Sequence, residues 1–173
     1  MTPEIYWISE VTPLRLGMMA RPRSGDWLSD EISGWQCAGI KTIVSLLESH
    51  EVRELGLADE KSLCVESDID FLTFPVPDRG TPKSVSKTAS LVTELVSRLR
   101  RGDSVGIHCR AGIGRSGLLS ACVLLQLGMP LAEVFPALTR ARKVPVPDTP
   151  AQVEWVKHFA ASTISAGLPK RGE

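Results

Sequence analysis

V-G-I-H-C-R-A-G-I-G-R-S-G, Val105 to Gly117, is the stretch around which the chain is organised. It predicts a short apolar strand, then Cys109, then five residues containing two glycines, then Arg115 and Ser116, and a helix opening at Gly117. That order makes a trap for a phosphate. A strand that ends in a Gly-bearing loop turns successive backbone N–H groups into one concavity, and the following helix N-terminus adds unpaired donors and partial positive charge. The amides of Arg110, Ala111, Gly112, Ile113, Gly114 and Arg115 form the expected cradle. The planar fork of Arg115 is expected to take two phosphate oxygens at once.

Cys109 sits at the floor of this cradle. A thiol among inward amides, a helix N-terminus and a guanidinium has its pKa lowered from about 8.5 toward roughly 3.5 to 7.5, which makes the thiolate the available nucleophile. His108 can fix the loop through its ring nitrogens. Ser116 can give a hydroxyl proton to the sulfur and so improve it as a leaving group. A nucleotide P-loop would require Gly-Lys-[Ser/Thr] at the end of the loop, where this chain has Gly114-Arg115-Ser116.

The segment H-C-R-A-G-I-G-R-S resembles the signature of cysteine-dependent protein tyrosine and dual-specificity phosphatases, H-C-x-x-G-x-x-R-[ST], and matches it at His108, Cys109, Gly112, Arg115 and Ser116. The resemblance implies an α/β fold with a central mixed, mostly parallel sheet of about five strands flanked by helices. It also implies a phosphocysteine mechanism that needs no cofactor and no metal. Asp78 lies 31 positions before Cys109 in Pro75-Val-Pro-Asp-Arg-Gly-Thr-Pro82. Three prolines and a glycine exclude a helix or central strand there, so the segment is a shaped loop. On spacing alone Asp78 is as well explained by an ordinary Pro-Asp-x-Gly turn. The resemblance adds the reading as general acid, since dual-specificity phosphatases carry their acid on such a loop.

At 173 residues, 43% of them hydrophobic, the chain is expected to form a single phosphatase domain with flexible tails at 1–4 and 167–173. Twenty basic and twenty acidic residues cancel, so no whole-molecule field draws the protein to nucleic acid or to a membrane surface. Cys37, Cys64, Cys109 and Cys122 lack the spacing of a zinc site or a disulfide framework, which suits a reducing cytoplasm. The first residues lack the blocks of a signal peptide, and the longest apolar run is too short to span a bilayer.

Strands are expected at Ile5 to Ile8 and Leu14 to Met18, as a pair at the sheet edge, and at Ile40 to Leu47 as a central strand. Others are expected at Phe71 to Val76 and Ser104 to His108. Helices are expected from Asp26 or Ser29 to Ala38, over Glu48 to Leu55, over Leu57 to Ser67, from Thr81-Pro82 to Arg101, from Gly117 to Leu127, from Leu131 to Arg142 and from Thr149 to Ser162. His50 reads as a surface residue. Lys83, Lys87, Arg98, Arg100 and Arg101 read as a solvated basic face. Thr149, Pro150 and Gln152 make a capping box, which accounts for Gln152 without a catalytic role.

The expected activity is hydrolysis of phosphotyrosine on a protein, with phosphoserine and phosphothreonine left open because the domain is compact. A phosphatase of phosphoinositides or RNA 5′-phosphates, and a phosphate-binding pseudophosphatase, are the alternatives. A polyanionic substrate would call for more local positive charge than Arg110 supplies.

Overall fold

The computed structural model describes residues 2–165. Five strands form one sheet: β1 (Tyr6–Trp7), β2 (Leu16–Met19), β3 (Thr42–Ser45), β4 (Asp70–Thr73) and β5 (Val105–His108), in the order β1-β2-β5-β3-β4. Only the β1–β2 pairing is antiparallel, so the sheet is mixed and mostly parallel, as expected. The helices are α1 (Leu28–Cys37), α2 (Ser49–Glu54), α3 (Glu60–Glu66), α4 (Val85–Arg100), α5 (Gly114–Gln126), α6 (Leu131–Arg142) and α7 (Pro150–Ser165). Of the expected tails, residues 167–173 lie outside the described residues. Thr2 and Pro3 share a surface depression with Asp30, Ser33, Gly34 and Cys37 of α1.

The strands are short and apolar, and their alternation feeds two cores. Leu16, Met18, Val44, Val105 and Ile107 join a core built with α4, α5, α6 and α7, whereas Met19 and Ile43 join a second with Leu28, Ile32 and Trp35 of α1 and Cys64 of α3. Successive strand residues point to opposite faces, which divides them between the layers. Gly106 belongs to the second face, where a side chain would meet Met19 and Ile43. β5 is thus buried on both sides and occupies the middle of the sheet.

β3, in the 40–47 segment, is an interior strand buried along its length, and β1 and β2 lie as an antiparallel pair at one edge of the sheet, both as expected. Several boundaries differ from the sequence expectation. α4 starts at Val85 rather than with Pro82 in its first turn, because Ser84 is extended and its hydroxyl accepts the Lys87 N–H at 3.1 Å. Neither Asp26 nor Ser29 caps α1, which follows a 3-10 turn at Gly25–Trp27. Arg98 is not on a solvated face: it bridges Glu94, Asp70 and Thr42. The Thr149 capping box is present, with both bonds at 3.2 Å.

α5 begins at Gly114, three residues earlier than expected, so Arg115 and Ser116 lie in its first turn. It runs through the centre of the larger core and touches β2, β5, α4, α6 and α7. Gly117 lets the loop before α7 come close, since a Cβ there would lie 2.2 Å from Val146 Cγ1. Gly117→Val is expected to lower unfolding stability by about 1 to 3 kcal/mol through overpacking, read as a shifted denaturant midpoint at unchanged slope.

Candidate functional site

The parallel strands all end on one side of the sheet, and the residues that follow them meet there. Open α/β sheets form their crevices at such ends, where the chain switches direction across the sheet. Cys109 follows β5 directly and is 3% exposed. The loop after it is shaped from behind. Gly112 has φ of +70°, and a Cβ there would stand 2.4 Å from the Met19 carbonyl, so both backbone conformation and space demand glycine.

Three carbonyls of the loop are tied outward. Arg110 O accepts the Arg21 N–H at 3.3 Å, while Ala111 O and Gly112 O accept Arg142 at 3.1 and 3.2 Å. In a trans peptide the N–H points opposite to the carbonyl, so the amides of residues 111, 112 and 113 turn inward. Arg142 is itself held over the Tyr6 ring, 4.0 Å from its centroid. From sequence it read only as the last residue of a helix.

Burial pushes the Cys109 thiol up, but the Ser116 hydroxyl and N–H, the Arg115 charge and the Gly112 N–H together bring it below the ordinary cysteine value. Ser116 Oγ is buried without a hydrogen bond to another group, and its proximity to the sulfur is felt as a lowering of the Cys109 pKa. Cys64 and Cys122 behave oppositely, and burial pushes Cys64 up to about 12.

Arg115 is 2% exposed and its guanidinium is already engaged by protein groups. Its terminal nitrogens make a bidentate pair with Glu51 at 2.7 and 3.0 Å, and also donate to Val76 O at 2.9 Å and Asp78 Oδ1 at 3.1 Å. Glu51 is 1% exposed. Burial alone would raise its pKa, but the Arg115 hydrogen bonds, the Glu48 N–H and the charges of Arg115 and Arg110 lower it from 4.5 to about 2.

The loop carrying Asp78 leaves β4 and passes over the cavity. Arg79 is left-handed at φ 57°, and Gly80 closes the turn by donating to Pro77 O. Two tethers join this loop to the start of α7: Gln152 Nε2 donates to Gly80 O at 3.1 Å, and Arg79 pairs with Asp148 at 3.3 Å. Gln152 therefore does more than cap α7. Asp78, Arg79, Cys109, Arg110, Arg115, Asp148 and Gln152 line a cavity of about 170 Å³ together with Ala111, Ile113 and Gly114.

His108 is fully buried on the opposite face of the sheet, between Trp35 and Glu60. His50 is exposed and lies 3.9 Å from Glu48, outside the cavity. Among the described residues, no group of three or more histidine, cysteine or acidic side chains is arranged to hold a metal. Glu51, Glu60 and Arg142 are the contributors that sequence reasoning missed, because the partners that reveal them are remote along the chain. The arrangement is chemically competent to bind a tetrahedral anion against a thiolate with a carboxyl group close by.

A family model described as PTP-SAK, Swiss Army Knife protein, DSP-PTPase phosphatase domain, matches residues 6–168. The chain is 27% identical over 156 residues to protein tyrosine phosphatase domain-containing protein 1 of Danio rerio, an alignment that covers 82% of this chain but 22% of that longer protein. The structure of kinase associated phosphatase, with serine replacing its catalytic-site cysteine, has a TM-score of 0.86 at 23% identity, over 97% of this chain and 99% of that one, a likeness of fold. Tk-PTP in its active form has a TM-score of 0.77 at 25% identity, over 93% of this chain and 99% of the other. The sheet, the cysteine loop at its centre and the family match agree: this chain belongs to the PTP-SAK family of DSP-PTPase phosphatase domains.

Proposed function

We propose that the protein is a metal-free phosphomonoesterase acting on phosphorylated protein side chains, phosphotyrosine above all. The observation that carries this reading is the joining of a lowered Cys109 thiol, the Asp78 carboxyl and the Arg115 guanidinium in one small cavity. Cys109 Sγ attacks phosphorus in line, an S–P bond forms as the ester P–O bond breaks, and Asp78 gives the departing oxygen its proton. Water then attacks the phosphocysteine with Asp78 as base. Phosphate leaves, and Ser116 supports the returning thiolate. Preorganised amides and Arg115 carry the equatorial charge throughout.

The Glu51 pair gives this scheme a specific geometry. Glu51 takes one hydrogen from each terminal nitrogen of Arg115, and Val76 O and Asp78 take the others. An entering phosphate binds side-on, at Nε–H and at the N–H that Asp78 now accepts. Asp78 is thereby released from Arg115 toward the leaving oxygen.

Charge at the mouth supports a singly phosphorylated side chain over a polyanion. Arg79 is paired with Asp148, and Arg110 lies 3.4 Å from Glu51 and 3.8 Å from Glu54. Phosphoinositides and RNA 5′-phosphates would need those cations free. No helix among the described residues is long and apolar enough to cross a membrane. A reducing, cytoplasmic compartment suits a working thiolate.

Cys109→Ser is expected to abolish phosphate release while retaining phosphopeptide binding, and chelators are expected to leave the wild type active. Chelator-sensitive turnover would overturn the metal-free scheme. Asp78→Asn should slow phosphotyrosine cleavage by about a hundredfold to ten-thousandfold and spare an activated nitrophenyl ester by comparison. The falling alkaline limb of kcat/KM should go with it. Equal losses on both esters with the bell intact would mean that Asp78 only shapes its loop.

Glu51 is expected to show in stability as well as rate. A carboxylate whose pKa is lower when folded contributes stability above its unfolded value and loses it as pH falls through the folded one. The wild-type unfolding midpoint should therefore fall steeply between pH 4.5 and 2. Glu51→Gln should begin about 3 to 5 kcal/mol less stable at neutral pH and show a shallower acid decline. Parallel curves from chemical denaturation would refute the assignment.

A further inference from the structure

His108 and Glu60 form a buried pair that the phosphoryl-transfer scheme above does not use. His108 Nε2 lies 2.7 Å from Glu60 Oε1, a close ion pair rather than an aligned hydrogen bond, and neither side chain is more than 2% exposed. On the other side of the ring, His108 Nδ1 lies 3.3 Å from Cys109 O. Both neighbours are acceptors. A neutral imidazole has one N–H and would turn a lone pair toward one of them, whereas an imidazolium presents a positive N–H edge to both.

We propose that Glu60 is a positioning residue for the reaction: it holds His108 as a buried imidazolium, which fixes the Cys109 carbonyl and places positive charge beside the sulfur. This rests on the reading of Cys109 as nucleophile. Taking two ionised groups out of water is costly, and such a pair is weak evidence for stability by itself. The pair is net neutral, but His108 is the chain neighbour of Cys109 while Glu60 reaches the ring from the far side, so the positive end faces the thiolate. Fixing Cys109 O also orients the peptide that starts the cradle.

The surroundings leave Glu60 as the partner that decides the charge of the ring. Burial pushes His108 down, but the charge and contact of Glu60, the Cys109 carbonyl and the Cys109 thiolate carry it above the ordinary histidine value. That coupling is reciprocal, so the imidazolium favours the thiolate. From α1 the ring meets Trp35, with centroids 6.1 Å apart. From β2 and β3 its register partners are the uncharged Met19 and Ser45. Cys64 of α3, against Glu60, is pushed up to about 12 and stays neutral. Arg115 acts on the sulfur itself.

The test titrates Cys109 directly in the full chain, by iodoacetamide alkylation against pH with each cysteine followed by mass spectrometry. Glu60→Gln is expected to raise the Cys109 pKa by about one unit, giving about tenfold less thiolate on the acidic side. The acidic limb of kcat/KM should move up by the same amount. In a His108→Gln background, Glu60→Gln should add nothing further. A Cys109 titration unmoved by Glu60→Gln, whatever happens to turnover, overturns the proposal. Nitrogen NMR of His108 in the wild type gives a check that needs no variant to fold: both ring nitrogens should be protonated at pH 7, and a single N–H would overturn the imidazolium. Alkylation and NMR do not depend on turnover, so absence of phosphatase activity would sink the proposed reaction while leaving this pair to be judged separately.

Discussion

The pairing of Arg115 with Glu51 is the constraint on which the rest of the site depends. A guanidinium with almost no exposure cannot remain buried without a counter-charge, and the 2.7 and 3.0 Å bidentate contact supplies one with matched geometry. The pair also joins three parts of the chain that share no local sequence. α5 brings the arginine, α2 brings the glutamate, and the loop after β4 brings Val76 O and Asp78 onto the same guanidinium. Placement of the candidate acid relative to the candidate nucleophile therefore follows from an ion pair, although the carrier of the acid is a loop.

The opposite wall of the cradle is set by a steric constraint. Gly112 has to pass within a methyl group's reach of the Met19 backbone, and Arg142 draws two loop carbonyls away from the cavity. Backbone direction, rather than a collection of basic side chains, then shapes the cradle. Under the proposed reading, that is what would let a chain of zero formal charge hold a phosphate. It also relieves Arg79 and Arg110 of that work, and both are paired with carboxylates at the rim.

Legibility in the sequence followed the range of the interactions. The strand, Cys109, Gly112 and the arginine of the loop are consecutive features whose order is the mechanism of their folding, so a local reading was enough. The capping box at Thr149 and Gln152 was local too. Glu51 acts 64 positions from Arg115, and in sequence it is one acid in a charged helical segment. Glu60 has the same disguise. Arg142 looked like an ordinary helix end because nothing in its neighbours announces Ala111 and Gly112. The early start of α5 was hidden for another reason: Gly114 in a loop suggests a turn, yet here it is the first helical residue and puts Arg115 and Ser116 in the first turn.

The two tethers on the loop that carries Asp78 differ in their surroundings. Gln152 is wholly buried, and its bond to Gly80 O is shielded from solvent ions. Arg79 and Asp148 are both open to water, so their attraction is screened once the Debye length shortens, to roughly 10 Å at 0.1 M salt. Rising ionic strength therefore weakens the outer tether first, while the inner one keeps the loop attached to the start of α7.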